Sequence, residues 1–349
     1  MAITEFHTKV LSPGFGIEAH NFPLKPDTLD QSARLIEDLI KKHGFLVIRK
    51  SGLTDETHIA LARHLGELDD VKPYNKAGRI NRLQYDELFD VGNIEADGSI
   101  VDPKSSRAQA GLGNALFHVD SSFNPRRAGY SLLLAHELPP KGTGGSTEFC
   151  DTRAAWDDLD EDMRAELIEK DYVACHSILH SKKLAAPEHF ADIEPADYPM
   201  GRHKLVQKHD SSGRMNLYLA MHIHHIENLA PEASKALFEK LFDHATQEKY
   251  RVVVEWEDVG DMVVWDNTCT MHRAMGGEFA YRLFLGFFVE ETTIRDGWRQ
   301  RFRAPFASKT HVTSTVADRQ AIREFATGYL GIYRNGQDSG TCSRQTSRS

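Results

Sequence analysis

His118-Val119-Asp120 sets an imidazole and a carboxylate two positions apart. In an extended segment, residues i and i+2 point to one side, so both groups can reach one ion. The bare pattern decides little. Eighteen histidines and 51 acids in 349 residues give about two or three His-x-Asp/Glu matches by chance. Two occur, the other being His225-Ile226-Glu227. Context favours the first. Small polar residues follow Asp120, and an expected strand begins soon after, at Tyr130. A third ligand must come from far along the chain. His272 qualifies, in Trp265-Asp266-Asn267-Thr268-Cys269-Thr270-Met271-His272-Arg273, just past another expected strand.

Two histidines and one carboxylate on one face of an ion leave positions open, the pattern of non-haem Fe(II) oxygenases. Open positions admit a bidentate keto acid and then O₂; a closed four-ligand zinc site would not. The far carboxylate of a keto acid also needs a cation. Arg282, on the strand expected after His272, can supply a bidentate salt bridge. Thr147, after Gly144-Gly145, is a candidate second donor. Each residue has a plainer reading. Arg282 could form a structural ion pair, and Thr147 could be a turn or capping hydroxyl. A zinc hydrolase on the same three ligands, and a non-catalytic binding protein, stay open at this point.

These residues need elements to position them. Asp27 or Thr28 can cap a helix with Leu35, Ile36 and Leu39 on its apolar side, and Gly44 stops it. Phe45-Leu46-Val47-Ile48 reads as a buried strand. Thr54 opens a second helix that closes at Gly66. Residues 69–115 read as a long polar loop, of the kind used as a lid or binding loop. Strands are expected at Tyr130–Ala135, Leu217–Ile223, Val252–Trp256, Met262–Trp265 and Leu283–Phe288. Helices are expected near Arg153–Leu159 and from Pro231, with Leu237, Leu241 and Phe242 on one face. The sum is a mainly β core with helical cover. On an extended run, His222 and His224 would share a face and His225 would take the other. These three read as polar groups within or behind the core.

Composition removes other classes. Lys plus Arg is 42 against 51 acids, a net charge of −9. Phosphate neutralisation needs a cationic face, so no nucleic-acid partner is expected. Cys150, Cys175, Cys269 and Cys342 form no C-x-x-C pair and read as isolated thiols of a reducing compartment. No stretch suits a membrane span or a secretory leader. The expectation is a cytoplasmic protein with no membrane partner. Gly142–Gly145 lacks the Lys-Ser/Thr of a phosphate loop, and no G-x-S-x-G elbow occurs.

The segments Lys42-His43-Gly44-Phe45-Leu46-Val47-Ile48-Arg49, Phe117–Phe123, Gly144–Phe149, His225-Ile226-Glu227 and Val264–Arg273, in that order, resemble the Fe(II)/2-oxoglutarate-dependent dioxygenases of the TauD/TfdA family. The resemblance runs from about Leu39 to Glu290 and is nearest the 2,4-dichlorophenoxyacetate branch. It implies a double-stranded β-helix core, a jelly-roll of cupin-like type, flanked by helices. A single domain of this family is expected over residues 1–334, and the Ser/Thr/Gly/Arg-rich composition from Asn335 marks 335–349 as a flexible tail. His118, Asp120 and His272 then match the iron ligands, and Thr147 and Arg282 the 2-oxoglutarate site. Asn114 matches a position near substrate, and Lys72, Tyr74 and Asn75 a loop that closes over it. Fe(II), 2-oxoglutarate and O₂ are the implied cofactor and cosubstrates. A small molecule is the implied substrate, and a homo-oligomer the implied assembly.

One departure bears on substrate. Members that take anions carry a second arginine four residues after the 2-oxoglutarate arginine. Here that position is Gly286, and the interval from His272 to Arg282 is a residue short. An anionic substrate would need another cation, such as Lys72, Arg126 or a histidine.

Overall fold

The computed structural model describes residues 6–69 and 82–277, and the backbone of Phe288–Arg295. The chain runs β1 (His7–Ser12), β2 (Phe15–His20), α1 (Leu29–His43), β3 (Phe45–Ile48), α2 (Asp55–Leu65), β4 (Phe89–Gly92), α3 (Ser106–Gly111) and β5 (Ala128–Glu137). It continues β6 (Thr147–Asp151), α4 (Thr152–Asp157), α5 (Glu161–Lys170), β7 (Val173–His176), α6 (Ile178–Ala185), β8 (Gly201–Lys204), β9 (Val206–Lys208) and β10 (Met215–Leu217). Then come β11 (Ile223–Ile226), α7 (Pro231–Ala245), β12 (Arg251–Val254), β13 (Met262–Asp266), β14 (Thr270–Ala274) and β15 (Phe288–Arg295).

One sheet has the order β1-β2-β3-β13-β5-β15-β4, and a three-stranded sheet has the order β12-β6-β14. All pairs are antiparallel except β2 with β3. Side chains alternate across a strand, and the cores follow that alternation. Leu46, Ile48, Leu132, Leu134, Met262 and Val264 pack with Ile36, Ile40 and Leu61 of α1 and α2. Phe45, Val47, Leu133, Ala135, Val263 and Trp265 pack the other way, against Phe149 of β6 and Val254 of β12. The Phe45 and Phe149 rings stack at 4.4 Å across the two sheets. Beyond β6 and β14 lies a third cluster, in which Cys150 and Met271 meet Trp156, Leu167 and Leu241. Each such large apolar side chain contributes about 1.5–3 kcal/mol on burial. The interior between the two sheets therefore receives Phe149 and His272, while their neighbours Cys150 and Met271 face the helices.

Local chemistry explains the boundaries. Thr54 caps α2 by accepting from Thr57 N, with Thr57 bonding back to Thr54 N. Gly44 ends α1 with φ +78°. A Cβ there would lie 2.8 Å from the Phe15 ring, so glycine is required twice over.

Three expectations are corrected. The stretch after residue 69 is not one loop: it contains β4, α3 and the helical turn Leu112–Ala115. Arg107 ties these together through Glu95 (2.7 Å) and Asp90 (3.3 Å). Leu217–Ile223 is not one strand, because β10 ends at Leu217 and β11 begins at Ile223. The pairing of β11 with β7 then shifts register between Ile223 and His225. His222 lies before the strand, and the shift sets His224 beside His225, their Nδ1 atoms 2.9 Å apart, rather than on opposite faces. His222 packs on the His118 ring at 5.6 Å, and His224 on His180 at 5.2 Å. Cys150, Cys175 and Cys269 are buried and in no disulfide among the described residues, as expected; Cys342 lies outside those residues. No helix among the described residues is long and apolar enough to cross a membrane.

Candidate metal centre

His118, Asp120 and His272 converge. One donor atom from each lies within 4.8 Å of the others. His118 Nε2 is 3.8 Å from Asp120 Oδ1, and His272 Nε2 is 3.5 Å from the same oxygen. Their side chains are 11%, 13% and 9% exposed, so the cluster is enclosed but reachable. His272 lies just past β13, as expected, and is itself on the next strand, β14. It sits opposite Phe149 of β6, with Trp265 4.7 Å from its ring.

Each donor is oriented. The Leu116 carbonyl lies 2.7 Å from His118 Nδ1. A carbonyl only accepts, so Nδ1 carries the proton and Nε2 presents its lone pair. Burial, with His272 beside it, pushes the His118 imidazole down to about 4, which keeps the ring neutral at pH 7. Burial would raise the Asp120 carboxyl. His272, His118 and the Ser131 hydroxyl outweigh that and hold it below the usual carboxylate range. Its Oδ2 accepts from Ser131 Oγ at 2.7 Å, while Oδ1 faces the two imidazoles. His272 Nδ1 is buried and has no hydrogen-bond partner among the described residues. Two imidazole nitrogens and a carboxylate oxygen, ionised and aimed at one point, fit a divalent transition metal.

The turn after Asp120 is clamped. Ser121 has φ +54°. His203 Nε2 donates to Ser122 O at 2.8 Å, and His176 Nδ1 meets Ser122 Oγ at 3.0 Å. Gly201 lies so close beneath that a Cβ would stand 2.1 Å from Ser122 O.

Thr147 opens β6 opposite Ala274 and is buried. It lies two positions from Phe149, hence on the His272 face of this sheet. Its hydroxyl accepts from Trp256 Nε1 at 3.3 Å. Asn114 is exposed on the turn that leads into His118. Arg126 pairs with Glu67 at 2.7 Å on the surface. Lys72, Tyr74, Asn75, Arg282 and Gly286 lie outside the described residues. Ser131 and Asn267 both reach Asp120, and neither is singled out by the sequence. A serine in an apolar strand carries no signal of its own. Asn267 lies within the Val264–Arg273 segment, where the sequence alone names no partner for it.

A sequence model of the taurine catabolism dioxygenase TauD, TfdA family matches residues 7–284. An alpha-ketoglutarate-dependent 2,4-dichlorophenoxyacetate dioxygenase of Burkholderia sp. (strain RASC) is 35% identical over 268 residues, 76% of this chain and 88% of that one. An (S)-phenoxypropionate/alpha-ketoglutarate-dioxygenase of Sphingobium herbicidovorans is 33% identical, over 67% of this chain and 77% of that one. The crystal structure of AAD-2 in complex with Mn(II) and N-oxalylglycine matches with a TM-score of 0.74 at 31% identity. That match covers 84% of this chain and 98% of that one.

Proposed function

This chain belongs to the TauD/TfdA dioxygenase family, and on that premise we propose that it is an Fe(II)/2-oxoglutarate-dependent oxygenase. It oxidises an unactivated C–H bond of a small organic molecule and releases succinate and CO₂. The observation that carries this reading is the convergence of His118, Asp120 and His272, with three donor atoms aimed at one point. The core is read as a jelly-roll, supported by the β6-bearing sheet packed against the larger one.

His118 Nε2, Asp120 Oδ1 and a His272 ring nitrogen would hold the iron. Iron bound there supplies the redox chemistry by which O₂ and 2-oxoglutarate oxidise a C–H bond. The protein orients and encloses. Leu116 O fixes the His118 tautomer. The Ser131 hydroxyl fixes one carboxylate oxygen of Asp120. Phe149 and Trp265 flank His272 and keep water from that side. Thr147 and Arg282 are assigned to the far carboxylate of 2-oxoglutarate, the end that does not reach the iron. Asn114, Lys72, Tyr74 and Asn75 are assigned to the substrate side.

Aryloxyalkanoates are the first substrates to try, since they are named for two relatives. Neutral compounds belong in the same panel because of Gly286. The test begins without oxygen. Fe(II) plus 2-oxoglutarate should give a weak visible charge-transfer band, absent in Arg282→Ala. O₂ is then admitted and succinate assayed with each compound. Folded, iron-loaded protein that gives neither band nor succinate would end the proposal. Turnover with zinc, indifferent to O₂ and 2-oxoglutarate, would replace it with a hydrolase.

A further inference from the structure

Three buried polar residues behind Asp120 join it in a hydrogen-bonded chain with a determined direction. Asn267 Oδ1 lies 3.0 Å from the Asp120 backbone N and 3.0 Å from Trp265 Nε1. Both neighbours can only donate, so this atom of Asn267 must be the oxygen. The other end of the amide is therefore the NH₂, and it donates to Ser131 Oγ at 2.9 Å. Ser131 accepts that proton, and its own hydroxyl proton goes to Asp120 Oδ2 at 2.7 Å. Ser131 and Asn267 are fully buried, and Trp265 is nearly so. No water is needed to satisfy the chain, and no member can reverse alone. Its output is one carboxylate oxygen held back and the other, Oδ1, presented to the imidazoles.

We propose that Ser131, oriented by Asn267 and Trp265, is a positioning residue that makes Asp120 a one-oxygen metal ligand. A carboxylate free to rotate can chelate a metal through both oxygens and so occupy an extra coordination position. Holding Oδ2 on Ser131 keeps that position clear for a bidentate cosubstrate. This inference rests on the reading of His118, Asp120 and His272 as metal ligands.

The probe is Co(II), used with wild type, Ser131→Ala and Ser131→Thr, all without turnover. Co(II) affinity and visible absorption are measured first. The affinity of the Co(II)-loaded protein for 2-oxoglutarate follows. Loss of the hydroxyl should leave Co(II) binding as tight as in wild type, or tighter, and change the cobalt spectrum. Affinity for 2-oxoglutarate should fall by about 10-fold or more, because one of the coordination positions that it needs is then taken. Threonine keeps the hydroxyl and should restore wild-type behaviour. Three results overturn the inference: unchanged 2-oxoglutarate affinity in Ser131→Ala, parallel loss of both affinities, or Ser131→Thr behaving like alanine. Wild type that binds no Co(II) overturns the metal-site reading beneath it, a distinct outcome.

Discussion

The backbones of His118 and His272 bond to each other in both directions, at 2.9 and 2.8 Å. Their rings lie 4.3 Å apart between centroids. This isolated bridge joins the segment before the Ser121 turn to β14. Two residues remote in sequence are thereby placed side by side before any ion arrives. Asp120 follows two residues later, on the same side.

Removing a donor from this set should abolish turnover with little effect on the fold. His118→Ala and Asp120→Ala are each expected to lower succinate formation to the no-enzyme background. The bridge uses main-chain atoms, so it survives both changes. Circular dichroism and thermal melting of the apoprotein check that the fold persists. Turnover near wild type in either variant would sink the site assignment.

Gly201 tests the clamp on the Asp120 turn. A Cβ there would stand 2.1 Å from Ser122 O and 2.8 Å from the Phe123 carbonyl carbon, both main-chain atoms with little room to give. Gly201→Ala should cost about 3 kcal/mol, toward the upper end for overpacking, and weaken metal binding with it. Gly111→Ala, which meets nothing within 4 Å, is the control and should stay within about 1 kcal/mol. Equal urea midpoints for the two variants would mean that the turn moves freely.

Acid should destabilise the apoprotein below neutrality. Burial, then Arg127, holds the His203 imidazole down at about 4. Burial, then His224 and His225, does the same for His180. Burial pushes His176 well below its ordinary value. An unfolded histidine titrates near 6.5. Between 6.5 and 4 the unfolded chain therefore binds more protons, and stability falls as pH falls. Each of His203 and His180 removes about 3 kcal/mol across that window. Urea unfolding at pH 7, 5.5 and 4.5 measures the slope. His203→Gln, which can still donate to Ser122 O, should reduce it; an unchanged slope would show that His203 contributes none of it.

Much of this was legible in the sequence, for a physical reason. Elements that bury one face write their period into the chain. Phe45–Ile48 and the Gly44 end of α1 were therefore readable to the residue, while the start of α1 was not, since Thr28 makes no side-chain capping bond. The His118–Asp120 pair and His272 carried chemistry in their side-chain types. What could not be read depends on contacts across the fold. Ser131 becomes informative only when β5 and β13 pair and bring Asn267 beside it. The packing of His222 on His118 depends on a contact between segments about a hundred residues apart, which no local period encodes. Arg107 closes the region around β4 through partners 12 and 17 residues away, a link that periodicity does not carry.

Alkali should act through a different histidine. His209 Nε2 lies 2.9 Å from Asp266 Oδ2, and Ser212 Oγ is 2.6 Å from Nδ1. Burial alone would lower this imidazole. Cys269 and the Asp266 carboxylate outweigh it and push it up to about 10. Asp266 also receives Thr268 N and its hydroxyl, so the charged pair fastens the segment after β13 that leads to His272. The folded state then holds a proton that the unfolded chain releases near 6.5. This contribution is whole below pH 6.5, declines as pH rises, and is gone above about 10. The slope from this group is at most about 1.4 kcal/mol per pH unit. Urea unfolding of the apoprotein at pH 7, 8.5 and 10 should show the decline in wild type, and His209→Gln should be less stable at pH 7 but flatter with pH. Parallel curves for the two proteins would mean that His209 is neutral in the fold, its bond to Asp266 that of an uncharged ring.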